Sequence, residues 1–205
     1  LEDLVVHDTL PLPLSVFAAA PWPQHAPESA QVDWLIRHFN QCFKPLNTCL
    51  VRGQHEPEYF PATEHLPARI QFAHGYFASA LHEISHWCIA GTARRLQPDL
   101  GYWYAPDGRT AAEQALFEQV EVKPQALEWL LTQACDRRFR VSLDNLNGDA
   151  GSGDGFRDAV YQRVQALLSG DAPIPQDAQR LITLLIHAIR PDRPLQATEF
   201  LRESL

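Results

Sequence analysis

The chain has 205 residues, 45% hydrophobic and 20% charged, with 25 Asp and Glu against 17 Lys and Arg for a net charge of −8. That length suits one domain with a sizeable core, and the composition excludes collagen-like, coiled-coil and wholly disordered classes. The acidic balance argues against direct nucleic-acid binding, which draws on clustered Lys and Arg, and is compatible with a cationic substrate.

Residues 1–28 read as a Pro-rich N-terminal arm, with Pro11, Pro13, Pro21, Pro23 and Pro27. Each proline fixes φ and removes a donor, so an extended arm is expected, its apolar residues free to dock on the body. Leu10 to Ala20 is apolar enough to suggest a signal peptide. However, Glu2 and Asp3 are acidic, the first cation is Arg37, and Pro11 and Pro13 break the run. Nothing approaches the roughly 20 apolar residues of a membrane span, so no membrane association is expected.

Residues 29–205 read as one helix-rich α+β domain. Ser29 is the expected N-cap of a helix patterned by Val32, Leu35, Ile36, Phe39 and Phe43. Cys49–Arg52 and Arg69–Phe72 are short strand candidates, separated by a loop rich in Pro and Glu. Tyr76–Ala90 reads as a buried helix closing near Gly91. Thr110–Val122 is a further helix, after which Pro124 either kinks it or starts the next piece, Gln125–Ala134. Phe139–Leu143 is expected as a strand, followed by a turn-rich loop, Asp144–Gly155. Helices Phe156–Leu168 and Gln176–Ile189 follow, with a last helical turn or two in Thr198–Leu205. Cys42, Cys49, Cys88 and Cys135 form no CxxC pair and read as reduced thiols of a cytoplasmic protein.

The strongest chemical signal is His82-Glu83-Ile84-Ser85-His86, an HExxH on an expected helix. Side chains four apart share a helical face, so both imidazoles can converge on one ion, with Glu83 beside them as the catalytic candidate. A divalent metal needs a third ligand. Ile89 and Thr92 stand where a metzincin would place Gly and His, which excludes that class. The acidic candidates are Glu118 and Glu121. Glu121 is preferred because it heads a segment returning to an apolar helix, leaving Glu118 as an acceptor for a ligand histidine. Two histidines and one glutamate do not name the metal. Zinc with an activated water would give a hydrolase, peptidase or ribonuclease, and spacing alone favours that; ferrous iron on the same ligands leaves positions open for oxygen.

The surroundings of the motif are more specific. Arg69-Ile70-Gln71-Phe72-Ala73-His74-Gly75-Tyr76-Phe77-Ala78-Ser79-Ala80-Leu81 enters it, and Trp87-Cys88-Ile89-Ala90-Gly91-Thr92-Ala93-Arg94-Arg95 leaves it. Gly101-Tyr102-Trp103-Tyr104-Ala105-Pro106-Asp107-Gly108-Arg109 and the Glu121 segment through Leu127-Glu128-Trp129 follow. Over about residues 31–190 the chain resembles the elongation factor P hydroxylase family, most densely from Arg69 to Asp149. The resemblance implies a non-haem metal hydroxylase, with iron as the metal and molecular oxygen as co-substrate. It implies elongation factor P as the protein partner, hydroxylated at its modified lysine after a β-lysyl group is attached. It also implies a fold similar to a small α+β ribonuclease of the ribosome-maturation type, with the metal-bearing helix over a sheet. The family's histidines carry over to His82 and His86, and its carboxylate to the Glu118–Glu121 segment, where Glu121 is chosen. With iron bound, Glu83 would orient oxygen at the ion or hold the substrate's ammonium. The sequence names no electron donor, and the helix-borne HExxH gives no reason to infer 2-oxoglutarate.

Among the neighbours, His74, Tyr102, Tyr104 and Glu118 are candidate substrate contacts, the tyrosines as cation–π walls for a lysine ammonium. Core packing and a structural hydrogen bond are the commoner roles for such residues. Arg94 with Arg95, and Arg137, Arg138 with Arg140, form basic patches that suit either an acidic partner face or solvated helix ends. The loop Asp144–Asp149 lacks the spacing and terminal Glu of a calcium loop.

Overall fold

The computed structural model describes residues 20–102, 109–143 and 153–205. Helix α1, Glu28–Cys42, leads into strand β1, Thr48–Arg52; strands β2, Glu58–Phe60, and β3, Ala68–Phe72, follow. Helices α2, Phe77–Arg94, α3, Ala111–Ala134, α4, Asp154–Ser169, and α5, Gln176–Ile189, complete the order. The sheet order is β1-β3-β2, with β3 central, parallel to β1 and antiparallel to β2. Leu50 and Tyr59 therefore flank Ile70 across the two ladders. This is the expected helix-rich α+β domain, with a small sheet and the HExxH helix packed on it.

Period-two alternation turns Ala68, Ile70 and Phe72 of β3 inward; α2 packs on β3 and α1 on the neighbouring β1. From α1 come Val32, Leu35, Phe39 and Cys42, spaced three or four apart on one buried stripe. Phe39 and Phe43 meet the edge of Trp87 from α2 at 5.6 and 5.0 Å. Helix α3 lies between α2, α4 and α5.

Several expectations are corrected. Helix α1 starts one residue before Ser29, with Pro27 at the N-cap position and no side-chain cap. Proline's fixed φ, here −54°, already suits that boundary. The Pro- and Glu-rich loop contains the short strand β2. Helix α2 continues to Arg94, although Gly91 at φ +69° breaks its regular backbone where the sequence placed the end. Helix α3 runs as one element through Pro124, because the residues after it, Gln125 to Thr132, are all buried against neighbouring helices. Its N-terminus is a capping box of Thr110 and Glu113.

Phe139–Leu143 is not a strand. The buried amide of Gln125 takes the place of a neighbouring strand there, donating to Ser142 O at 2.7 Å and accepting from Ser142 N–H at 3.0 Å. The C-terminal residues form only short 3₁₀ turns, Ala197–Glu199 and Arg202–Ser204. None of the four cysteines is in a disulfide.

The described end of the arm packs on the body. Trp34 Nε1 donates to Ala20 O at 2.7 Å, and the Trp22 ring meets Trp34 and Phe77 edge-on. Glu28 reaches across to α2, accepting the Phe77 backbone N–H at 2.9 Å and pairing with Arg137 at 3.4 Å. Arg137 also donates to Gln31 and lies over the Phe77 ring, so it is an internal strut rather than part of a free basic patch. Among the described residues, no helix is long and apolar enough to cross a membrane.

Candidate metal centre

Helix α2 has two unlike faces. Phe77, Ala80, Leu81, Ile84 and Trp87 are buried in the core, while His82, Glu83 and His86 line a cavity of about 760 Å³. Helix α3 crosses α2 and carries Glu121, 1% exposed, to the same cavity.

Three donors converge there. His82 Nε2 and His86 Nε2 are 3.1 Å apart; Glu121 Oε1 is 3.2 Å from His86 Nε2, and Glu121 Oε2 is 3.5 Å from His82 Nε2. An ion bonded at about 2.1 Å to each donor requires separations of about 3.0 Å at right angles and about 3.4 Å in a tetrahedron. The observed separations, 3.1–3.5 Å with one carboxylate oxygen of Glu121 near each imidazole, lie close to that range, and the donor chemistry, two imidazoles and a carboxylate, suits a borderline divalent metal. No other group of His, Cys, Asp or Glu among the described residues meets the same test of proximity.

Glu128 orients this set, and sequence reasoning missed it. It sits seven residues after Glu121, two turns on along the same face of α3, and its Oε2 lies 2.8 Å from His82 Nδ1. That bond assigns the proton of a neutral His82 to Nδ1 and leaves the Nε2 lone pair toward Glu121 and His86. The signal was available: once Glu121 is a ligand, the i+7 position on its helix faces the same partner helix.

The electrostatics follow from burial and three carboxylates. Burial acts to lower the His82 pKa, but the hydrogen bond to Glu128 and the charges of Glu128, Glu121 and Glu83 outweigh it and raise the value to about 10. Burial raises the Glu83 carboxyl above its ordinary value, partly opposed by His82 and His86. Further out, Glu56, Glu58 and Asp99 add to the acidic lining, which Arg140 and the apolar Leu100 and Phe117 complete.

The other sequence candidates divide. Tyr102 lines the cavity with its ring 5.7 Å from His86, but one face is already covered by Arg94, whose guanidinium lies 3.6 Å from the ring centroid. Glu118 is not among the cavity lining; it accepts from Gln114 at 3.2 Å, and Glu128 holds the orienting position expected of it. His74 is exposed on a 3₁₀ turn with φ +50°, beside Tyr76, and is likewise absent from the lining. Gly75, at φ +74°, separates that turn from the HExxH helix. Tyr104 and the Asp144–Asp149 loop lie outside the described residues. The basic pair Arg94 and Arg95 is engaged internally, with Arg95 over the Trp87 ring and paired to Asp177.

Two imidazoles from one helix and a carboxylate from the helix facing it, set in an acidic cavity, define a candidate mononuclear metal centre of the two-His-one-carboxylate class. The family model of elongation factor P hydroxylases matches residues 38–200. The chain is also 48% identical over 154 residues to the elongation factor P lysine hydroxylase of Haemophilus influenzae, covering 74% of this chain and 85% of that protein. The chain belongs to the elongation factor P hydroxylase family.

Proposed function

We propose that this enzyme hydroxylates the β-lysylated lysine of elongation factor P in the cytoplasm, with ferrous iron held by His82, His86 and Glu121 and molecular oxygen as co-substrate. The observation that carries the reading is the convergence of two imidazoles and the Glu121 carboxylate, at 3.1–3.5 Å from one another, on the wall of an acidic cavity. Bound iron would supply oxygen activation; one oxygen atom enters a C–H bond and the other leaves as water, with two electrons from an external donor and two protons from solvent.

The chain's own residues have separate tasks. Glu128 holds the His82 ring with Nε2 toward Glu121 and His86, where the three side chains would hold the metal. The carboxylates of the lining attract a cationic lysyl side chain, and Glu83, next to both histidines, meets its ammonium or holds a proton beside the reacting group. Leu100, Phe117 and Tyr59 give the cavity apolar surface against the methylenes and limit the water around them.

Zinc on the same donors, with Glu83 as base, is the alternative, a hydrolase. Intact-mass measurement on β-lysylated elongation factor P separates the two. With iron, air and a reductant, the substrate gains one oxygen atom; His82→Ala and Glu121→Ala abolish the gain, while Glu118→Ala retains it. No gain with iron supplied, or cleavage in place of oxygen addition, rejects the hydroxylase reading.

A further inference from the structure

The cavity wall next to His86 is built by an unusual stretch of backbone. Asp99, Leu100 and Gly101 have φ of +49°, +56° and +65°, three consecutive left-handed residues, of which two carry a Cβ. Left-handed backbone brings Cβ against the following carbonyl, so such a run persists only where its surroundings fix it.

Here the fixing groups are identifiable. Arg94, at the end of the HExxH helix, donates Nε to Leu100 O at 2.9 Å and Nη2 to Gly101 O at 3.0 Å. Asp99 Oδ1 accepts the Tyr59 backbone N–H at 3.1 Å, tying the turn to β2. Leu100 is buried, and the Tyr102 N–H bonds back to Asp99 O at 2.9 Å. The guanidinium that holds the two carbonyls also covers the Tyr102 ring, whose plane meets His86 at 71°.

Resting on the metal-centre reading above, we infer that Arg94 is a positioning residue: it locks the Asp99–Gly101 turn so that Tyr102 packs against His86 and fixes the plane of that ligand ring. Tyr102 thus acts through its contact with His86, and its Arg94-covered face is not a receptor for a substrate ammonium. Arg95, one residue on, has a different task. It donates to Trp87 O at 3.0 Å and pairs with Asp177 at 2.8 Å, joining α2 to α5. Lysine cannot reproduce the Arg94 fork, because a single ammonium lacks the planar pair of donors.

The test uses the full chain with Co(II) as probe, reading its visible absorption bands and its dissociation constant. Arg94→Ala and Tyr102→Leu are expected to weaken Co(II) binding by about three- to tenfold and to change the bands in the same way. The double variant should be no worse than either single one, and Arg94→Lys should restore the bands only in part. Arg95→Ala should lower the melting temperature while keeping wild-type bands and affinity.

Wild-type bands and affinity in Arg94→Ala overturn the inference, as do additive effects in the double variant or equal spectral change in Arg95→Ala. Should Arg94→Ala not fold, Tyr102→Leu and Arg94→Lys decide on the same criteria. Failure of the wild type to take up Co(II) rejects the metal centre itself, whereas uptake unaltered in the variants rejects only the role of Arg94.

Discussion

Glu128 accepts from Nδ1 of His82 at 2.8 Å, so α3 supplies both a candidate ligand, Glu121, and the group that orients a ligand on the facing helix. One helix thus sets two sides of the centre.

Replacing Glu128 should therefore cost metal affinity without removing a donor to the ion. Glu128→Ala is expected to raise the metal dissociation constant about 10- to 100-fold, and Glu128→Gln by less, because the amide oxygen still accepts from Nδ1. Competition against a chromogenic chelator measures both. Equal affinity in wild type and Glu128→Ala would remove it from the centre.

The raised His82 pKa sets a proton balance for metal uptake. With a value of about 10 in the metal-free protein, His82 is protonated at neutral pH, and a metal must displace that proton. The stability that the His82 ion pairs give the metal-free protein is fully present below about pH 6.5 and fades as pH rises toward about 10. Metal affinity should accordingly climb with pH across the neutral range. Calorimetric titration in buffers of different ionisation enthalpy should show about one proton released per metal near pH 7.5, and a buffer-independent heat would contradict this.

A second pH-dependent element lies away from the centre. Arg190, 3% exposed, donates Nη2 to both oxygens of Glu199, at 2.9 and 2.8 Å, and Nη1 to Gln133 O at 3.0 Å. Burial acts to raise the Glu199 carboxyl, but hydrogen bonds from the Gln196 backbone, Arg190 and Gln133 outweigh it and hold the pKa below its ordinary value. The contribution is thus present above the unfolded carboxylate value of about 4.3 and is lost as pH falls through the lowered folded value. Glu199→Gln should destabilise by about 2 kcal/mol at neutral pH, with the gap to wild type closing in acid. Denaturant unfolding at neutral pH and at about pH 3 reads the difference.

What the sequence made legible follows periodicity and spacing. Helix α5 was read with its observed bounds because Leu181, Ile182, Leu184 and Leu185 mark one apolar stripe. His82 and His86 were legible because i, i+4 spacing determines a shared face before any tertiary contact forms. Glu121 was separable from Glu118 only by the pattern of the helix around it. Contacts decided by packing stayed hidden. Gln125 standing in for a strand at Ser142 has no local signature, and β2 spans too few residues for alternation to register. Arg94 read as a surface cation because the left-handed turn whose carbonyls it holds is dictated by β2 and α2 together, not by Asp99 and Leu100 themselves.

The Glu28 carboxylate that receives the first N–H of the HExxH helix lies ten residues upstream of position 38, where the family match begins. A fragment trimmed to that start would keep every proposed ligand yet leave the leading turn of their helix uncapped and Arg137 without either of its α1 acceptors. The segment matched by the family model and the segment that caps the ligand-bearing helix therefore begin at different places in the chain.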